Sequence, residues 1–136
     1  MKRTATAVWQ GSGKEGSGYL NTKSGVLERT NYSYKSRFED GKGTNPEELI
    51  AAAHSGCFTM ALTFKLGEAG YTAGELQTEC AIDFQDGTIV ESHLKLKAEV
   101  EGIEEDEFDK IVNDAKENCP ISKVLNTKIT LEYTLN

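Results

Sequence analysis

The stretch Asn45-Pro46-Glu47-Glu48-Leu49-Ile50-Ala51-Ala52-Ala53-His54-Ser55-Gly56-Cys57-Phe58-Thr59-Met60-Ala61-Leu62-Thr63-Phe64-Lys65-Leu66-Gly67 decides how this chain folds. Asn45 can cap a helix, and Pro46 suits the first helical position because its missing N–H would find no partner there anyway. Glu47 and Glu48 complement the positive end of the helix dipole. The predicted helix runs to about Gly67. Leu49, Ile50, Ala52, Ala53, Phe58, Met60, Ala61, Leu62, Phe64 and Leu66 leave it little polar circumference, so protein must surround it on most sides. In a chain of 136 residues, one layer of sheet covers one face, and the remainder calls for a second copy, a homodimer. His54, Ser55 and Lys65 interrupt the apolar run, which barely reaches membrane-spanning length; a buried helix of a soluble protein is expected, and no membrane partner.

Outward from this helix, the pattern alternates between strands and helices. Thr4 to Trp9 reads as a strand, and Gly11, Gly13, Gly16 and Gly18 then read as a flexible connection without the strand-to-helix setting of a nucleotide loop. A second extended segment is predicted through Thr30, Tyr32, Tyr34 and Ser36, with Arg37 closing its polar side, before a turn at Glu39-Asp40-Gly41-Lys42-Gly43. After the helix, Leu76, Thr78, Cys80, Ile82 and Phe84 alternate as a strand, Asp86-Gly87 makes a turn, and Ile89 to Val100 returns as a second strand, a hairpin. Glu104 to Asn118 is an amphipathic helix carrying Phe108, Ile111, Val112 and Ala115 on one stripe. Pro120 stops it, Ile121 to Leu125 adds a further helical turn, and Thr127 to Leu135 closes as a strand. This order predicts an α+β fold in a single domain, residues 1–136.

The net charge of −7 and the lack of any basic block argue against a nucleic-acid partner or an anionic membrane surface. The segment Met1 to Trp9 starts basic without a continuous apolar run, so no export signal is read and a cytoplasmic location is expected. In a reducing compartment three cysteines point away from a disulfide framework and toward reversible thiol chemistry.

Cys57 on the first helix and Cys119 before Pro120 suggest a helix-borne nucleophile and a second thiol to resolve it. Plain core packing and metal binding stand beside that reading. Cys57 lies in mid-helix, where its own backbone has no free amide to offer, so a thiolate there needs help from another element. Arg37 is the candidate: a guanidinium stabilises a thiolate and can orient a peroxide oxygen. Glu47 could hold Arg37 by a bidentate bridge or simply complement the helix terminus. Ten positions of straight helix between Glu47 and Cys57 amount to about 15 Å, too far for direct contact. A bend near Ser55-Gly56, the reach of Arg37, or delivery across a dimer interface would each close that gap; the last is favoured. His54, three positions before Cys57, could act as its base or be a packed, hydrogen-bonded histidine. His93 stands on the polar side of its strand. A zinc site of Cys57, Cys119 and one histidine lacks a short ligand pair to anchor it. Cys80, on the apolar side of a strand, reads as inert core.

Two segments carry a more specific message. Gly43 to Leu62, with Thr44-Asn45-Pro46-Glu47 and His54-Ser55-Gly56-Cys57-Phe58, and Asn118-Cys119-Pro120-Ile121-Ser122-Lys123-Val124-Leu125 together resemble the OsmC/Ohr family of peroxide-detoxifying proteins. Tyr34-Lys35-Ser36-Arg37-Phe38 brings the chain closer to the OsmC branch. The resemblance implies an intertwined homodimer with antiparallel sheets around central helices. It implies Cys57 as the peroxidatic cysteine, Cys119 as the resolving one, Glu47 as the family glutamate and Arg37 as the arginine of the thiolate environment. It further implies reduction of organic hydroperoxides, and of hydrogen peroxide as a lesser substrate, through a sulfenic acid and an intramolecular disulfide that an external dithiol reduces. No cofactor and no metal are implied. A redox sensor or ligand-binding protein with weak peroxide turnover is the alternative.

Overall fold

Six strands and four helices follow one another along the computed structural model, which describes residues 1–136. They are β1 (Ala5–Gln10), β2 (Ser17–Thr22), β3 (Thr30–Tyr32), α1 (Tyr34–Phe38), α2 (Pro46–Glu68), β4 (Leu76–Gln85), β5 (Thr88–Ala98), α3 (Glu105–Asn118), α4 (Pro120–Val124) and β6 (Lys128–Leu135). These group into two compact units, Met1–Leu49 and Ile50–Asn136, with the first turn of α2 in the former and the rest of the helix in the latter.

In the first unit β1, β2 and β3 form an antiparallel sheet in that order. The strand β2 replaces the second half of the flexible connection expected from the glycines. Its Gly18 lies opposite Trp9 and beside Tyr32, whose rings meet edge to face at 5.3 Å. A Cβ on Gly18 would come within 2.5 Å of the Trp9 ring and 2.8 Å of the Tyr32 ring, so this glycine makes room for two aromatic rings rather than loosening the chain. A second correction concerns Tyr34 to Phe38, which is helix α1 and not the end of a strand, so Arg37 sits on a helix. Ser33 is the reason: its hydroxyl accepts from the Ser36 N–H at 3.2 Å while the Ser36 hydroxyl accepts from the Ser33 N–H at 2.8 Å, a capping box that starts a helical turn.

The second unit is a sheet, ordered β4-β5-β6, with helices packed on it. The hairpin of β4 and β5 is antiparallel, turning at Asp86-Gly87 as expected. Strand β6 pairs parallel to β5, so this sheet is mixed where antiparallel sheets were anticipated. A parallel neighbour requires a long crossover, and α3 and α4 supply it. As the central strand, β5 buries Ser92, Leu94, Leu96 and Ala98 on one face and turns Lys95 and Lys97 outward. Along α2 the fully buried residues His54, Phe58, Leu62 and Leu66 recur every fourth position and form one row. Along α3, Phe108, Val112 and Ala115 form a similar row at spacings of four and three. The ring of Phe108 meets that of Tyr133 on β6 edge to face at 5.1 Å. Each large apolar side chain withdrawn from water in this core contributes on the order of 1.5–3 kcal/mol. By length and composition alone α2 could cross a membrane. Its buried row belongs instead to the core of this unit, together with β5 and α3. The opposite face is open within one chain: Met60 and Phe64 are 64% and 67% exposed.

Candidate active site

Five hydrogen bonds of serines and asparagine bring Arg37 to Glu47. The capping box fixes α1, and the Ser36 hydroxyl also donates to the Thr44 carbonyl at 2.8 Å. The Asn45 side-chain amide donates to the Ser36 carbonyl at 2.9 Å, tying the start of α2 to α1 across the Glu39–Gly43 loop. Asn45 caps α2 as expected, its Oδ1 accepting from the Glu48 N–H at 2.8 Å. With both helices fixed, Arg37 Nε donates to Glu47 Oε1 at 2.8 Å and Nη2 to Oε2 at 3.3 Å. This is the bidentate bridge considered from the sequence, with Glu47 well covered and Arg37 about a third exposed at 38%. In the same unit an open cleft of about 750 Å³ is lined by the rings of Trp9, Tyr32, Tyr34 and Phe38 together with Arg37.

The second unit brings Cys57 to Cys119. Cys57 is half-buried against the core and Cys119 is fully buried. The Cys57 thiol donates toward the Cys119 sulfur, and the backbone N–H of Ile121 donates to the Cys57 sulfur. Burial pushes the Cys57 thiol up, the Ile121 N–H works in the opposite direction by favouring the thiolate, and the neighbouring Cys119 adds to the rise. The Ile121 amide is the help from another element that a mid-helix cysteine lacks. It was hidden in the sequence because only the fold carries α4 to α2; the one signal was Pro120, which starts a new helix whose first amides have no partner within the helix. Cys119 itself ends α3 and caps α4, its sulfur accepting from the Ser122 N–H at 3.4 Å. The four candidate residues thus form two pairs, one in each unit.

His54 does not serve as a base for Cys57, because both of its ring nitrogens are engaged elsewhere: Nδ1 with the Ser92 hydroxyl at 2.6 Å and Nε2 with the Ser122 hydroxyl at 2.8 Å. That occupancy also leaves it no nitrogen for a metal, and no group of three or more His, Cys, Asp or Glu side chains suits a metal ion. Cys80 packs against the core as its alternation predicts, with its sulfur 3.3 Å from Ser92 Oγ. His93 lies half-buried in the middle of β5, bonded to Thr130 Oγ1 at 2.6 Å.

The sequence matches the family model of OsmC-like proteins over residues 39–134. It is 47% identical over 139 aligned residues to Peroxiredoxin OsmC of Escherichia coli, an alignment that covers 99% of this chain and 97% of that protein. The chain belongs to the OsmC-like family. Among solved structures, the organic hydroperoxide resistance protein OhrB of Bacillus subtilis superposes with a TM-score of 0.61 at 27% identity, covering 96% of this chain and 98% of OhrB. An OsmC-like protein of Vibrio cholerae superposes with a TM-score of 0.76 over 98% of this chain and 99% of its own; at 15% identity that likeness concerns the fold alone. The α+β architecture read from the order of elements is therefore that of OsmC-like proteins.

Proposed function

We propose that this OsmC-like chain reduces organic hydroperoxides to alcohols, and hydrogen peroxide to water less readily, through a Cys57 sulfenic acid and a Cys57–Cys119 disulfide. It is a cysteine-based peroxidase. The observation that carries the reading is the meeting of two thiols and a backbone donor: Cys57 has Cys119 and the Ile121 N–H at its sulfur. The names of its relatives, a peroxiredoxin and an organic hydroperoxide resistance protein, support it from outside the structure.

In this mechanism the Cys57 thiolate attacks the terminal oxygen of the hydroperoxide, the O–O bond breaks, and the alkoxide leaves and takes up a proton. Cys57 is oxidised to the sulfenic acid. Arg37, aligned by Glu47, supplies the cation that favours the thiolate and the developing alkoxide. The length of helix between Glu47 and Cys57 favours delivery of that pair by a second copy in a homodimer. Cys119 then attacks the Cys57 sulfur, a disulfide forms, and water departs; an external dithiol restores both thiols. The aromatic cleft beside Arg37 suits alkyl and aryl hydroperoxides. Reliance on an external dithiol fits a cytoplasmic location. We read the chain as one domain, since both the family match and α2 cross from one unit to the other.

The test is stopped-flow oxidation of the reduced protein by tert-butyl hydroperoxide, followed by reduction with a dithiol and repeated cycles. A peroxidase turns over for as long as both reagents last. A single oxidation with no recycling would instead mark a thiol sensor.

A further inference from the structure

The buried row of α2 is apolar at Phe58, Leu62 and Leu66, yet its first member, three positions before Cys57, is His54. Strand β5 repeats the pattern: its buried face is apolar at Leu94, Leu96 and Ala98 and polar at Ser92. These two polar residues meet a third, Ser122 of α4, and the three continue to a reacting sulfur. Cys119 Sγ lies 3.0 Å from Ser122 Oγ, Ser122 Oγ lies 2.8 Å from His54 Nε2, and His54 Nδ1 lies 2.6 Å from Ser92 Oγ.

We propose that Ser122 and His54 form a proton relay for Cys119 in the disulfide-forming step, an inference that rests on the peroxidase reading above. The relay runs in one direction. The Cys119 sulfur accepts from the Ser122 N–H, and its thiol proton can point at Ser122 Oγ, 3.0 Å away. The Ser122 hydroxyl then donates to His54 Nε2, and His54, protonated on Nδ1, donates to Ser92. When Cys119 attacks the Cys57 sulfenic acid, its proton moves to Ser122 and the Ser122 proton moves to His54. The S–S bond forms, the S–O bond of Cys57 breaks, and hydroxide leaves, taking a proton from solvent. Cys119 sulfur is oxidised and Cys57 sulfur is reduced. His54 returns the borrowed proton to solvent, so the products are one disulfide and one water. Meanwhile the Ser122 N–H holds the negative charge on Cys119 before the bond closes.

His54 is kept as a neutral acceptor by its surroundings. It is fully buried, and burial alone lowers its pKa. The ionisable groups that reach this network are Cys80 of β4, 4.0 Å from His54 Nδ1, with Cys119 and, through it, Cys57; β5 and α4 contribute only the hydroxyls of Ser92 and Ser122. Ser122 touches the reacting sulfur, whereas His54 acts through Ser122 and is a positioning residue.

The experiment follows conversion of the sulfenic acid to disulfide after one equivalent of tert-butyl hydroperoxide, by dimedone trapping and mass spectrometry from pH 6 to 9.5. Ser122→Ala is expected to slow the conversion at least tenfold at pH 7. The gap should narrow as the pH rises, because solvent base then removes the thiol proton without the relay. Ser122→Thr, which keeps the hydroxyl, should stay within threefold of the parent. His54→Gln, shown to be folded by its thermal transition, should follow the Ser122→Ala profile because an amide cannot accept the proton. Conversion at the parental rate in Ser122→Ala or in folded His54→Gln overturns the relay. So does a slowing by the same factor at every pH, which is the mark of lost packing. A parent that yields neither a trappable sulfenic acid nor a Cys57–Cys119 disulfide overturns the peroxidase reading and the relay with it.

Discussion

Glu47 holds Arg37 by both arms of its carboxylate, at 2.8 Å to Nε and 3.3 Å to Nη2. Such a fork fixes the plane of the guanidinium as well as its position. If Arg37 activates Cys57, Arg37→Met removes the cation and the donors together. A charged hydrogen bond is worth about 1.5–3 kcal/mol, which corresponds to roughly ten- to hundredfold in rate. We therefore expect Arg37→Met to slow Cys57 oxidation at least tenfold and to move its pH–rate profile to higher pH. Glu47→Gln keeps the cation but loosens it, with an expected loss of about threefold. Single-turnover rates across pH measure both. An unchanged profile in Arg37→Met would assign activation to the Ile121 N–H alone.

The three cysteines should separate cleanly. Cys57→Ser is expected to reduce peroxide turnover to background, because a hydroxyl forms neither the thiolate nor the sulfenic acid. Cys119→Ser should perform one rapid oxidation and then accumulate sulfenic acid. Detection by mass spectrometry of a normal intramolecular disulfide at Cys57 in that variant would remove Cys119 from the resolving role. Cys80→Ala should leave peroxide oxidation within about twofold of the parent and cost about 1 kcal/mol of stability, as trimming a half-buried core side chain does. A loss of reactivity in folded Cys80→Ala would contradict its place in the core.

The fold was legible wherever local chemistry and periodicity agreed. Asn45 and Pro46 start α2 as written, and the alternation in β4, β5 and β6 places Leu94, Leu96 and Leu131 where it says. It was illegible where a residue's ordinary preference gave way to a tertiary neighbour. Gly18 reads as a loop because the reason for a glycine, the rings of Trp9 and Tyr32, lies on two other strands. Tyr34 to Phe38 alternates like a strand, but the hydroxyls of Ser33 and Ser36 close a helical turn there. At the site, the cysteines and the Arg37–Glu47 pair carry their chemistry in their residue types. The Ile121 amide and the surroundings of His54 do not, since the one is backbone and the others are serines from β5 and α4.

Homodimer formation can be tested on the open face of α2. Met60 and Phe64 stand out from it, next to Gly56, where nothing lies within 4 Å of an added Cβ. Glycine inside a helix costs about 1 kcal/mol relative to alanine, and the single chain offers no contact that requires it. In the homodimer proposed above, a close-packed second copy would supply the reason. Sedimentation equilibrium at micromolar concentration should show a dimer for the parent and a shift toward monomer for Phe64→Glu. In a monomer, Gly56→Ala would raise stability by about 1 kcal/mol; in a dimer packed over Gly56 it should weaken association instead. A parent that sediments only as a monomer would remove the partner from the proposal.

His54 makes stability depend on pH in a direction that can be fixed in advance. The imidazole is fully buried, and burial lowers its pKa from 6.5. The unfolded chain takes up a proton near 6.5 while the folded one resists, so the unfolded state binds more protons as the pH falls. The stability owed to neutral His54 is therefore complete above 6.5. It declines at up to about 1.4 kcal/mol per pH unit as the pH drops toward the folded-state value. Urea unfolding at pH 7.5 and 5.5 should show the parent losing about 1 kcal/mol more than His54→Gln over that interval. Restricting the interval to pH 5.5 and above keeps ordinary carboxylates ionised, and every other group is common to both proteins, so the difference isolates one imidazole. Equal losses would mean that the folded protein accepts a proton on His54 as readily as the unfolded chain does. Below 6.5 a second donor would then face Ser122, and the imidazole could take the Cys119 proton only above that pH, where it is neutral.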